Sequence, residues 1–162
     1  MERVARCACD RVRLKVEGEP KFVLICHCDF CQNRSGNVFI ASAHFARDHV
    51  VDISGETTVY NGLEVDGVGA VGIPGGIDYH FCTTCGSTVY WDSPRSEDRF
   101  FAIAIGNFVD PHFPMPTTEL FTKDRHHWVP PVTGATQVHD PLDGSMSPEE
   151  MVPTLRQDST TE

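Results

Sequence analysis

The chain has no apolar run approaching the roughly 18 residues that a bilayer-spanning helix needs, so no membrane span is expected. Its opening residues, Met1 to Cys7, lack the apolar stretch of a secretory signal, so export is not expected. Cysteine-rich without an export signal, the protein is expected in a reducing cytoplasm, where thiols stay free. Bases are scarce: 13 Lys and Arg stand against 23 Asp and Glu, for a net charge of -10. That balance disfavours a nucleic-acid backbone or an anionic membrane as the main partner. No Walker or dinucleotide glycine motif is present, and the acids are scattered, with no pair placed for acid–base catalysis. No long segment shows a clean helical period, which leaves room only for short helices.

What is present is a series of short β-like segments. Arg11 to Val16 alternates with period two, and Lys21 to Cys26 is a more continuous apolar run. Val38 to Ala41, Val50 to Ile53, Thr57 to Tyr60, Asp78 to Phe81, Ser87 to Trp91 and Phe100 to Ile105 follow, flanked by turn-forming residues. The fold class expected is mainly β, built of short antiparallel sheets. His44 to His49 can make one helical turn, and Ser35 and Ser93 are candidate caps of short turns. Six glycines between Asn61 and Gly76 rule out a regular strand there and suit either a surface hairpin or a lid. Past Pro130-Pro131 the apolar residues thin out. The expected organisation is one domain over residues 1–132 and an acidic, partly disordered tail over 133–162, with a short helix starting at Ser147-Pro148.

Seven cysteines fall in three clusters: Cys7-Ala8-Cys9, Cys26-His27-Cys28-Asp29-Phe30-Cys31 and Cys82-Thr83-Thr84-Cys85-Gly86. An odd, clustered count suits metal ligation better than disulfide pairing, and the spacings are unlike common iron–sulfur runs. On a strand, residues i and i+2 share a face, so Cys7 and Cys9, and likewise Cys26 and Cys28, can aim at one metal. Cys31 reaches the same point if the chain turns after Cys28. Cys7, Cys9, Cys82 and Cys85 make a closed tetrahedral zinc shell, and Cys26, Cys28 and Cys31 leave a coordination position open. Two alternatives stand beside this partition: a single zinc with the central cluster idle, or a central trio completed by His27 or His80.

The three clusters in this order resemble the glutathione-dependent formaldehyde-activating enzyme family, also called the Gfa or centromere-protein-V domain family. Gly36, Gly106-Asn107 and the stretch from Pro116 to Trp128 extend the resemblance over about residues 2 to 130. It implies a zinc-stabilised, Mss4-like (β-tent) fold in which the first and third clusters hold a structural zinc and Cys26, Cys28 and Cys31 a catalytic one. It also implies carbon–sulfur lyase activity, forming or splitting S-hydroxymethylglutathione, with a small thiol and an aldehyde as partners. The family usually has Gly after the first pair, here Asp10, and a basic segment after Cys31, here Gln32-Asn33-Arg34. Arg34 and Asn33 are the candidate thiol-binding residues.

Three thiolates and a dication sum to a charge of -1, which makes a weak Lewis acid suited to thiol exchange more than to water activation. A thiolate is the competent nucleophile toward an aldehyde carbon. Two other functions fit the same residues: a non-catalytic zinc-stabilised interaction module, and a thiol or metal sensor whose central cysteines oxidise. Phe81, Tyr90, Trp91, Phe100 and Phe101 are expected in the core. His126-His127-Trp128 is read as a packing aromatic beside two exposed histidines.

Overall fold

A computed structural model describes residues 1–62, 76–93 and 101–141. Two sheets carry the fold. The smaller is antiparallel, with β1 (Glu2–Arg6), β2 (Arg13–Glu17) and β5 (Val50–Ser54) in the order β1-β2-β5. In β2, Leu14 and Val16 point inward and Arg13, Lys15 and Glu17 do not, so the period-two pattern read from the sequence is the core-facing pattern.

The larger sheet has eight strands. They are β3 (Phe22–Cys26), β4 (Ile40–Phe45), β6 (Thr57–Asn61), β7 (Asp78–Cys82), β8 (Thr88–Asp92), β9 (Phe101–Ala104), β10 (Thr118–Leu120) and β11 (Thr136–Val138). Their order is β11-β10-β3-β4-β9-β8-β7-β6. Most pairs are antiparallel, as expected, but β10 runs parallel to both β3 and β11. One α-helix, α1 (Asp29–Ser35), is found among the described residues, with three single 3-10 turns.

The two faces of the large sheet have different cover. On one, Val23, Ala43, Phe45, Val89, Phe101 and Ile103 pack against Ala5, Leu14 and Val16 of the small sheet and against Val12 just before β2. On the other, Ile40, Tyr79, Trp91 and Ala102 pack beneath Phe30 and Cys31 of α1. β3 is covered on both sides, so all five of its residues are buried. That double cover explains why it reads as an unbroken apolar run while β2 alternates.

Several expectations need correction. His44 and Phe45 belong to β4, and the single turn is limited to Arg47–His49. Ser35, expected as the cap of a short turn, is the last residue of α1, its hydroxyl donating to the Cys31 carbonyl at 2.7 Å, and the caps of that helix are Cys28 and Gly36. Ser93 is buried just after β8, and the residues that follow it, where its turn was expected, lie outside the described residues. β11 lies beyond residue 132, so the described sheet runs into the stretch assigned to the tail, and Val138 is buried. The glycine-rich stretch from 63 to 75, Phe100, and the helix start at Ser147 lie outside the described residues. No described helix is long and apolar enough to cross a membrane.

Candidate metal centres

The first cysteine pair does not lie on a strand. β1 ends at Arg6, and Cys7 to Asp10 form a turn closed by the Asp10 amide on the Cys7 carbonyl at 3.0 Å. Asp10 sits at φ +65°, the left-handed region that glycine takes most easily and that Asp tolerates better than most residues. Its carboxylate is held by Arg13, with Arg6 alongside.

The third cluster arrives from the other end of the chain. A register shift at His80/Phe81 precedes Cys82 at the end of β7. Gly86, at φ +69°, turns the loop so that its amide reaches the Cys82 carbonyl at 2.9 Å. Ser87 ties the loops together: its hydroxyl accepts from the Ala8 amide at 3.1 Å and lies 3.3 Å from the Cys85 sulfur. The sulfurs of Cys7 and Cys9 are 3.5 Å apart, and those of Cys9 and Cys82 are 3.7 Å apart. All four Sγ atoms, Cys85 included, lie within 4.8 Å of one another. The Val12 amide also points at the Cys7 sulfur, at 3.2 Å. Four converging thiols with a backbone donor fit a closed tetrahedral ion.

The central trio is assembled where β3 becomes α1. Cys26 is the last residue of β3. Cys28 is the N-cap of α1, in extended conformation at φ -60° and ψ 152°, and its sulfur accepts from the Cys31 amide at 3.4 Å. Cys26 and Cys28 sulfurs are 3.4 Å apart, and all three Sγ atoms fall within 4.8 Å of one another. Donation from Cys26 and Cys31 holds the Cys28 thiol down at about 3. The hydrogen bonds to Cys28 and Cys31, together with burial, push Cys26 up. Cys31 is drawn down by Cys26 but raised more by Cys28 and burial, to about 12. The three thiols crowd one another, which works against ionising all of them at once. A cation at their centre would relieve that crowding, and this is how the donor set fits a metal.

The residues around the trio are fixed by polar contacts. His27 is fully buried, its amide donating to the Leu120 carbonyl at 3.0 Å and its Nε2 lying 2.8 Å from Glu119 Oε2. Burial pushes the Glu119 carboxyl up, but donors from Gln137, His27 and the Val132 amide, with the nearby charge of Arg125, leave it below the usual carboxylate range. Gln32 donates to the carbonyls of His27 and Asp124, at 2.6 and 3.0 Å, and its Oε1 lies 3.0 Å from His126 Nε2.

Among the described residues, neither histidine nominated to complete the trio joins it. His27 is directed to Glu119, and His80 lies between Thr57 and Asp92, stacked on Tyr90. Arg34 rests over Tyr79, 4.2 Å from the ring centre, and 5.2 Å from that of Trp91. Asn33 is exposed, and no described hydrogen bond links it to the trio. Trp128 is 61% exposed and meets His126 edge-on, so it is not a packing aromatic. Tyr90, Trp91 and Phe101 are buried as expected, and Phe81 is half-buried. Glu119 was not anticipated. Nothing near it in sequence marks it, because its partner His27 lies 92 positions away.

Two thiol clusters pinned to a small mainly-β frame, one of four sulfurs and one of three, define a class of cysteine-rich proteins whose clusters could hold metal ions. The model of the glutathione-dependent formaldehyde-activating enzyme family matches residues 2–124, and the chain belongs to that family. No curated protein matches it. Membership makes an enzymatic role that activates formaldehyde with glutathione the general expectation for the chain.

Proposed function

We propose that the protein is a zinc-dependent carbon–sulfur lyase that joins a small thiol to an aldehyde and splits the same adduct. Glutathione and formaldehyde, giving S-hydroxymethylglutathione, are the proposed pair. The observation that carries this reading is the trio. Its three sulfurs converge within 4.8 Å, and no fourth His, Cys, Asp or Glu ligand atom joins them among the described residues. Cys26, Cys28 and Cys31 would hold one zinc ion and Cys7, Cys9, Cys82 and Cys85 a second, structural one. The ion at the trio would supply a positive position at which an incoming thiol ionises near neutral pH.

The bond changes are simple and involve no redox. The thiol gives up its proton, its sulfur forms a bond to the carbonyl carbon, and the π pair of the carbonyl moves to oxygen, which takes up a proton. The reverse breaks the same C–S bond. The chain's part is placement. Glu119, His27 and Gln32 fix the backbone between Cys26 and Cys31. Arg34, within electrostatic reach of Cys31, Cys28 and Cys26, offsets the residual charge of -1 of the loaded trio. Asn33 offers an exposed amide beside it on α1.

The test is exchange between free formaldehyde and S-hydroxymethylglutathione, followed by NMR with zinc-loaded protein. Exchange faster than the spontaneous rate, and lost in C28S, is expected. No acceleration with both zinc equivalents bound removes the formaldehyde reaction from this protein.

A further inference from the structure

We propose that the segment from Val132 to Asp140 is a strap that positions the three-cysteine site, with Gln137 as a positioning residue acting through Glu119 and His27. The inference rests on the trio holding an ion. The family match ends at residue 124, so the strap lies beyond the matched stretch. Its strand β11 nevertheless stands in register with the strands behind the trio. Gln137 is the partner of Glu119, and Glu119 is the partner of Ile25, the residue before Cys26.

His27, between Cys26 and Cys28, is held at three points. Its amide donates to the Leu120 carbonyl, its carbonyl accepts from Gln32, and its ring meets Glu119 Oε2 at 2.8 Å. Oε2 also faces Arg125 Nη1, at 3.5 Å. The donors described at the other oxygen, Oε1, both come from the strap: the Val132 amide, and Gln137 Nε2 at 3.0 Å. A carboxylate buried this fully needs donors on both oxygens. Without the strap Oε1 loses both, and the carboxylate regains them only by turning or by admitting water. Either change moves it off His27 and slackens the turn that spaces two of the three sulfurs.

The strap is also held by contacts that do not involve Glu119. The Thr136 amide donates to the Thr117 carbonyl at 2.9 Å, Val138 is buried, and Lys123 pairs with Asp140. Gln137 itself is exposed, so a substitution there disturbs no apolar packing. Positioning and plain stability can therefore be separated in the full chain.

The test loads the full chain with two equivalents of cadmium, and the trio's resonance is the one that C28S abolishes. Q137E sets a second carboxylate against Glu119. Its trio resonance is expected to shift, and a chromogenic chelator to strip the trio's ion at least about tenfold faster than in wild type, with the four-cysteine ion unaffected. Q137M removes the donor without adding charge. It is expected to shift the same resonance and to speed release about threefold, and it carries the test if Q137E does not fold. D140N cuts the Lys123 pair and leaves the donors to Glu119 in place. It is expected to lower the thermal midpoint and to move neither resonance. An unchanged trio resonance and release rate in the Gln137 variants overturns the inference while leaving the trio a metal site. Equal loosening of both ions, or the same effect in D140N, also overturns it and reduces the strap to a source of stability. If C28S abolishes no resonance, the trio holds no ion, and its reading as a metal site fails as well.

Discussion

Glu119 accepts a hydrogen bond from His27 at 2.8 Å, and both residues are sealed from solvent, with exposures of 1% and 0%. The pair joins β10 to the single residue between Cys26 and Cys28. The other carboxylate oxygen takes the Val132 amide and Gln137, so the same side chain also fastens the segment that enters β11.

Removing this carboxylate leaves a buried histidine, an amide and the Arg125 charge without their partner. E119A is therefore expected to lower stability by about 3–5 kcal/mol, read from urea midpoints on zinc-loaded protein. E119Q keeps the shape but not the charge and is expected to cost about half as much. A loss below about 1 kcal/mol for E119A would show that the network is not holding the turn.

The two cysteine groups should fail differently. C82S breaks the set that ties the Cys7 turn to the end of β7, and a structural zinc is worth an apparent ~10–16 kcal/mol in small peptides, as much as a whole domain's stability. C82S is expected to lose the cooperative thermal transition. C28S is expected to keep the β-type circular dichroism while zinc content falls from two equivalents to one. Metal analysis alongside circular dichroism checks both.

His44 supplies a pH dependence. It is buried in β4 beside Ser42 and stacked on Phe22, and burial drives its pKa down to about 3. The folded state therefore keeps it neutral while the unfolded state protonates near 6.5. Its contribution is complete above the unfolded pKa and is lost as pH falls toward the folded one. From pH 7 to pH 5 the wild type should lose about 2 kcal/mol more stability than H44F. Parallel pH profiles for the two proteins would contradict this.

Gly55 is a backbone requirement. It sits at φ +92°, and a Cβ there would lie 2.0 Å from the Arg11 carbonyl oxygen. Arg11 follows directly on the turn that carries Cys7 and Cys9, so the β5–β6 turn and the first cysteine turn are packed backbone to backbone. G55A is expected to cost at least about 2 kcal/mol and to loosen zinc at the four-cysteine set. Retention measured by competition with a chromogenic chelator checks the second effect.

How much was legible in the sequence follows from how local each signal is. The cysteine groups were readable because metal-ligand spacing is local, and the fold brings the groups together in the four-and-three division that coordination number suggested. β2 and β3 were readable because their cover, one side or both, is written in their apolar pattern. The helix α1 was missed because its seven residues span barely two turns, too few for a period to appear. β10 and β11 were missed because three-residue strands cannot show alternation, and because β10 pairs with β3 across about 94 positions, as in Thr118 with Leu24. The placing of Cys7 and Cys9 on a strand failed because Asp10 adopts a conformation common in turns.

The central claim is that two ions share seven sulfurs unequally, one fully surrounded and one open to an incoming thiol. Cadmium NMR of the protein loaded with two equivalents tests it most directly. Two resonances are predicted, and glutathione should move one of them and leave the other in place. A single resonance, or two that glutathione leaves unmoved, would contradict the account.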